Sequence, residues 1–369
     1  MQFKSIPGRR SIKSRLIQSI EEGKIPHAQL FAGPEGSGSL AMAIAYTQYL
    51  FCKNRNQNDS CGECSSCQKI QKQIHPDLHF SFPFASGKKE DISNLFLQEW
   101  RSIIHKNPFF SLEDWIHELA LENKMVNIPI SECRQILREL SLKPYEGDYQ
   151  ILILWLPEFL RESANSLLKM IEEPSPGTIF LLVTENKDLL LPTLLSRTQQ
   201  IYIEAPNHLE VETYLMENYS LEKNSAQTIA FLSEGNLSKA FGMMNGAVDQ
   251  FQETFQDWVK IMREGNPHKI VEWVEGFNGK SSKTVLSKED KKNFLLYGIK
   301  MFRAQFMKSY GQLETSPKTL DPEKFGRSLL AFQKVIQELE KAAYHLERNS
   351  NPKILFLDVS LQIGQILKP

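Results

Sequence analysis

An α/β domain built on a mostly parallel sheet and followed by an all-helical remainder is the fold the sequence predicts, on three observations. Five short apolar, β-rich runs, Gln29 to Ala32, Leu78 to Phe82, Gln150 to Leu156, Thr178 to Thr184 and Gln200 to Ile203, recur through the first 205 residues with helical patterns between them. Alternation of that kind is the mark of strands joined by crossover helices and covered on both faces. A glycine-rich turn follows the first run and opens a helical pattern, and after Ala205-Pro206-Asn207 the pattern turns helical to the end.

The 369 residues suit two or three domains. We expect an α/β domain over 1–205, a small helical unit over 206–247 and an all-α domain over 248–369. Lys plus Arg total 43 against 44 for Asp plus Glu, a net charge of −1, so no global basic field draws the whole chain onto nucleic acid or an anionic membrane. No apolar run approaches the ~18 residues of a membrane span, and Met1-Gln2-Phe3-Lys4-Ser5 lacks the apolar core of a secretory signal. Composition thus excludes secreted, membrane, fibrous and disordered classes, and a cytoplasmic location without a membrane partner is expected.

Along the chain, Gly33-Pro34-Glu35-Gly36-Ser37-Gly38-Ser39-Leu40 stands where a phosphate loop belongs, between a strand and a helix. Its glycines suit backbone N–H groups that cradle phosphate at a helix N-terminus. Ser39, however, stands where the charge-neutralising lysine should be, Leu40 where a hydroxyl should ligate Mg²⁺, and Glu35 adds negative charge. The strand Ile151 to Leu154 runs into Trp155-Leu156-Pro157-Glu158 with no aspartate at its tip, so both halves of a hydrolytic site are depleted. Gly33, Gly36, Gly38 and Ser39 read as a relic, and no ATP is expected.

Cys52-x8-Cys61-x2-Cys64-x2-Cys67 supplies four thiolates within sixteen residues, the closed ligand set of structural zinc. An iron–sulfur cluster could use the same ligands. Lys53, Arg55 and Lys69 flank the set and would temper its charge, while Cys133 reads as a small semi-buried residue on a helix. In the long stretch from 86 to 127, Leu95, Phe96, Trp100, Ile103 and Ile104 fall at helical spacing and are expected to pack on their own domain.

A helix is predicted between Glu162 and Glu173 from Ala164, Leu167, Leu168 and Ile171, stopped by Pro174 and Pro176-Gly177. Ser196-Arg197-Thr198 precedes the last strand, and a guanidinium there is a permanent planar fork suited to phosphate. The helical unit after residue 206 is punctuated by Gly235 and Gly246, and Phe325, Leu329, Phe332, Ile336, Leu339, Ala343 and Leu346 form a stripe of a bundle helix.

Several of these segments together resemble bacterial DNA polymerase III clamp-loader subunits. They are Pro26-His27-Ala28-Gln29-Leu30-Phe31-Ala32-Gly33-Pro34, Ser163-Ala164-Asn165-Ser166-Leu167-Leu168-Lys169-Met170-Ile171-Glu172-Glu173-Pro174, Ile179 to Thr184, Leu195-Ser196-Arg197-Thr198 and the four cysteines, with Glu347 to Lys353 similar to the last collar helix. The resemblance is dense over about 24–204. It implies an AAA+ domain of the P-loop NTPase type over 1–205 with a zinc module at 52–67, a lid over 206–247 and a helical collar over 248–369. The depleted loop points within that family to the delta prime branch, with the ATP-binding gamma/tau branch as the alternative. The implied role is DNA replication: an ATPase-inactive member of a five-subunit ring that loads the sliding clamp on primed DNA, with gamma/tau and delta subunits, the clamp and primer-template DNA as partners. Arg197, flanked by Ser196 and Thr198, would be an arginine finger acting on a neighbour's ATP. Thr198 replaces the family's usual cysteine, and Ser238 stands where nucleotide-binding members place an arginine.

Overall fold

The computed structural model describes residues 1–85, 91–121, 124–244, 247–278, 288–309 and 329–367. These fall into two compact units, Met1–Tyr214 with Ser233–Gly242, and Leu215–Leu232 with Met243–Pro369.

The first unit opens with α1 (Arg10–Glu21), then β1 (Ala28–Ala32), α2 (Ser39–Phe51), α3 (Ser65–Gln71), β2 (Leu78–Ser81), α4 (Leu97–Lys106), α5 (Leu112–Glu118) and α6 (Ile130–Leu140). It continues through β3 (Gln150–Trp155), α7 (Asn165–Glu172), β4 (Thr178–Thr184), α8 (Pro192–Leu195) and β5 (Gln199–Tyr202). The five strands are parallel in the order β2-β3-β4-β1-β5. β1, β3 and β4 are buried at every residue, which is why they read as unbroken apolar runs rather than alternating ones. β5 is an edge strand whose Gln199, Gln200 and Tyr202 are exposed. β1 lies between β4 and β5 although the chain leaves it for the far side of the sheet, and the crevice at the carboxyl ends beside such a switch is where open α/β sheets place ligands.

The all-round burial of α2 comes from its small-large sequence Ala41-Met42-Ala43-Ile44-Ala45-Tyr46, which lets a helix sit close to a sheet. On the other face, Cys133, Ile136 and Leu140 of α6 and Leu167 and Ile171 of α7 pack with Leu152, Leu154, Phe180 and Leu182 of the central strands. Cys133 is fully buried rather than half-buried, and its thiol donates to the Ser163 carbonyl at 3.5 Å. The helix expected from Glu162 begins three residues later, because Pro157–Ala164 forms a 3₁₀ segment with a kink at Arg161 (φ 49°, ψ −126°).

Residues 86–90 and 122–123 of the long stretch lie outside the described residues. Its remainder packs on its own domain, as expected. An isolated bridge between Phe84 and Asn127 staples its two ends, and Glu132, 2% exposed, accepts Ser93 N–H at 2.8 Å and Ser93 O–H at 2.6 Å. Trp100, Ile103 and Ile104 are buried and Phe96 is half-buried, while Leu95 is exposed. Trp100 stacks on Phe82 at 4.2 Å and meets Trp115 edge-on at 5.4 Å, an arrangement that adds to the area the rings bury.

After β5 the chain is helical: α9 (His208–Tyr219), α10 (Lys223–Ser233), α11 (Leu237–Met243), α12 (Ala247–Glu264), α13 (Pro267–Asn278), α14 (Lys288–Ser309), α15 (Leu329–Glu347) and α16 (Pro352–Leu367). The second unit is held by an aromatic cluster of Phe255, Trp258, Trp273, Phe277, Phe294 and Phe356. On α15, Phe332, Leu339, Ala343 and Leu346 are buried as the stripe predicts, Ile336 is half-buried, and Val335 and Ala342 complete the inner face. Phe325 and Gly246 lie outside the described residues. Glu347 to Lys353 spans the end of α15, the turn after it and the start of α16, with Asn349 left-handed and Pro352 at the first helical position. No described helix is long and apolar enough to cross a membrane.

Candidate functional site

Three groups carry the chemistry suggested above, and all belong to the first unit. The glycine loop leaves the carboxyl end of β1 and enters α2. Gly36 and Gly38 have φ of +69° and +86°, which a side chain would strain. A Cβ on Gly36 would lie 2.0 Å from Asn236 Oδ1, and one on Gly38 would lie 3.1 Å from the Phe109 ring. The loop is therefore covered. Gly36 O accepts Leu237 N–H at 2.9 Å, and Asn236 donates to the Glu35 carboxylate at 3.0 Å. Phe109, 3% exposed, packs against Phe241 and Tyr214. Ser39 is buried with its hydroxyl 2.8 Å from that of Ser37.

Arg9, itself 8% exposed, locks the loop from behind. Its guanidinium donates to the carbonyls of Ser37, Glu204 (3.0 Å) and Pro7 (2.6 Å). Burial lowers its pKa to about 10 despite nearby Glu210 and Glu204. Ser238 donates to Asp114 at 2.8 Å, and Asp114 in turn closes the N-terminal cap of α5 with Ser111.

At the neighbouring strand ends, Glu158 accepts the Thr184 hydroxyl at 3.0 Å, and burial holds its carboxyl above the usual range. Glu185 is pushed up to about 7, first by burial and then by the charges of Glu35 and Glu158. Glu35, Glu158 and Glu185 gather here with no lysine partner among the described residues, which disfavours a polyphosphate at this end of the sheet.

The four cysteines converge. Every pair of their Sγ atoms lies within 4.8 Å, with Cys52 and Cys61 3.5 Å apart and Cys61 and Cys67 3.9 Å apart. A tetrahedron with ~2.3 Å zinc–sulfur bonds has edges of ~3.8 Å, so the group fits a closed four-thiolate zinc site. Backbone N–H groups support the sulfurs: Cys61 N–H donates to Cys52 at 3.2 Å and Cys64 N–H to Cys61 at 3.3 Å, which together with Glu63 N–H holds the Cys61 thiol below its ordinary range. Of the flanking cations, Arg55 instead caps α2, donating to the carbonyls of Tyr49 and Leu50, and Lys69 pairs with Glu146. Cys133 stands apart, its thiol pushed up to about 12 by burial.

Arg197 follows α8 and is 34% exposed. Its Nε and Nη2 meet the Glu172 carboxylate at the end of α7, and Nη1 donates to Thr193 O at 2.9 Å and the Ser196 hydroxyl at 3.2 Å. Thr198 turns its hydroxyl back onto Leu194 O at 3.1 Å, anchoring the residue after the arginine. Arg9, Phe109, Asn236 and Leu237 reach the loop from remote positions that nothing local in the sequence marks, and Glu172 stands out in the sequence only within the Ser163 to Pro174 segment.

Residues 8–207, more than half of the chain, match the family described as DNA polymerase III, delta subunit. The chain is 25% identical over 241 residues to DNA polymerase III subunit delta' of Escherichia coli, covering 65% of this chain and 61% of the relative. It is 26% identical over 274 residues to subunit delta' of Bacillus subtilis, covering 72% and 70%. To the Escherichia coli subunit tau it is 24% identical over 252 residues, covering 67% of this chain and 33% of the relative. The match thus spans less than two thirds of the first of these relatives.

Proposed function

The chain belongs to the family of DNA polymerase III delta-type clamp-loader subunits, and from that premise we propose that it is a delta prime subunit that completes the ring without using ATP. In this reading the α/β domain supplies Arg197 to the nucleotide of a neighbouring gamma/tau subunit, residues 206–247 act as a lid and 248–369 as a collar. The ring, with the delta subunit, places the sliding clamp on primer-template DNA. Zinc fills the four-cysteine site as a structural ion.

The observation that carries this reading is the covered loop. Phe109, Asn236 and Leu237 pack against Gly36 and Gly38 of the loop, while Ser39 and the carboxylates Glu35, Glu158 and Glu185 offer no neutralising charge. The likeness to tau subunits favours a nucleotide-binding alternative, and the same loop argues against it, because backbone N–H groups alone do not replace the lysine and the metal ligand.

Calorimetric titration of the purified chain with ATP and Mg²⁺ is expected to give no binding in the micromolar range. Phe109→Ala should destabilise the first unit by about 3–5 kcal/mol through the cavity it leaves, yet still bind no nucleotide, since uncovering the loop restores neither lysine nor hydroxyl. Micromolar, Mg²⁺-dependent binding by the unaltered chain would overturn the reading. For assembly, mixing the chain with gamma/tau and delta subunits should yield a ring whose ATPase responds to clamp and primed DNA. Failure of the chain to enter that complex would remove the clamp-loader assignment.

A further inference from the structure

We infer that Glu172 is a positioning residue for Arg197: its carboxylate holds the guanidinium fork in the isolated subunit and must yield it to the phosphoryl oxygens of the neighbour's nucleotide. This rests on the trans-acting reading of Arg197 proposed above.

Every nitrogen of the Arg197 guanidinium is engaged. Nε and Nη2 converge on Glu172 Oε1, and Nη1 is shared by Thr193 O and Ser196 Oγ. Arginine binds carboxylate and phosphate with the same fork, so the Glu172 oxygen occupies the donors a phosphate would need. The arginine cannot serve both at once. Nor is Glu172 explained by its own helix. It is the last residue of α7, where the helix dipole disfavours negative charge, Glu173 follows it directly, and Lys169 is the sole basic residue in that turn. A carboxylate kept at an unfavourable position points to the partner it holds.

The pair is also built to be exchanged. Arg197 is 34% and Glu172 41% exposed, so an incoming oxyanion reaches them and solvent weakens the pair they form. A buried pair would hold too tightly to release. The backbone carbonyl of Thr193 and the hydroxyl of Ser196 carry no charge, so they steer the side chain through Nη1 while Glu172 alone competes electrostatically. Before the ring closes on clamp and DNA, Glu172 keeps the fork folded against its own subunit; closure brings a more highly charged acceptor within reach and the fork transfers.

The test is steady-state ATPase of a loader reconstituted with Glu172→Gln, which keeps size and one acceptor oxygen but removes the charge. The unstimulated rate should rise about two- to five-fold, the range set by the strength of an exposed pair of this kind. The rate with clamp and primed DNA should stay within about two-fold, so the degree of stimulation narrows. In an Arg197→Ala background the same substitution should change nothing. An unstimulated rate that is unaltered or lower with Glu172→Gln, or an equal effect in the Arg197→Ala background, overturns the inference. Arg197→Ala alone separates the two levels: if it lowers stimulated ATPase while Glu172→Gln is silent, only the role of Glu172 falls, and if it has no effect, the trans-acting reading falls and this inference with it.

Discussion

A loader reconstituted with Arg197→Ala is expected to assemble normally and to lose clamp- and DNA-stimulated ATPase and clamp loading. The side chain is partly exposed and, among the described residues, its ion pair is with Glu172, so its removal costs the fold at most ~1 kcal/mol. Gel filtration, zinc content and melting should therefore match the unaltered protein. An arginine finger acts on charge that develops on a transferring phosphoryl group, and in other phosphoryl-transfer systems its loss costs roughly 10³ to 10⁵ in rate. Only the nucleotide site next to this subunit would feel that loss. The assembly as a whole should fall by that site's share if the sites fire independently, and by more if they fire in concert. Arg197→Lys should rescue poorly, because an ammonium keeps the charge without the planar fork that now spans Glu172, Thr193 and Ser196.

The second large effect concerns the cysteines. One zinc per chain is expected, and a Cys64→Ser/Cys67→Ser double variant should lose it. Cys67 is fully buried at the start of α3 and Cys52 closes α2, so a zinc held by the four cysteines would tie the two helices together. Losing a structural metal belongs with the rare changes that cost about 4 kcal/mol or more, which for a unit of this size lowers the melting temperature by roughly 10 °C. Cys133→Ala, whose thiol faces Ser163 O instead, should keep a full equivalent of zinc. Unchanged metal content in the double variant, measured by elemental analysis after chelator-free purification, would remove the site.

What could be read from the sequence follows from what each feature depends on. β1, β3 and β4 were legible because strands buried on both faces must be apolar throughout, and β5 was the weakest because an edge strand tolerates Gln199 and Gln200. The cysteine cluster was legible because its four members lie within sixteen residues of one another. The cover over the glycine loop was not. Phe109 and Leu237 reach Gly38 from positions 71 and 199 residues away in the chain, and nothing local to either marks it for that task. Arg9 was equally hidden: its left-handed backbone and burial depend on the carbonyls of Ser37 and Glu204 that receive it. The same holds for the kink at Arg161, which shortens α7. Ser238 could be read as a departure from a family pattern, but its bond to Asp114 required a fold that brings α5 against α11.

In the proposed division of labour this chain gives a side chain to another subunit's nucleotide and takes none itself. An ATP analogue with a photoreactive group on its γ-phosphate tests both halves in one measurement. In the assembled loader, illumination followed by peptide mapping should label this chain within residues 193–198, around Arg197, and leave residues 33–40 unlabelled, and the isolated chain should not be labelled at all. Label on the glycine loop, in the ring or in the isolated chain, would contradict the account.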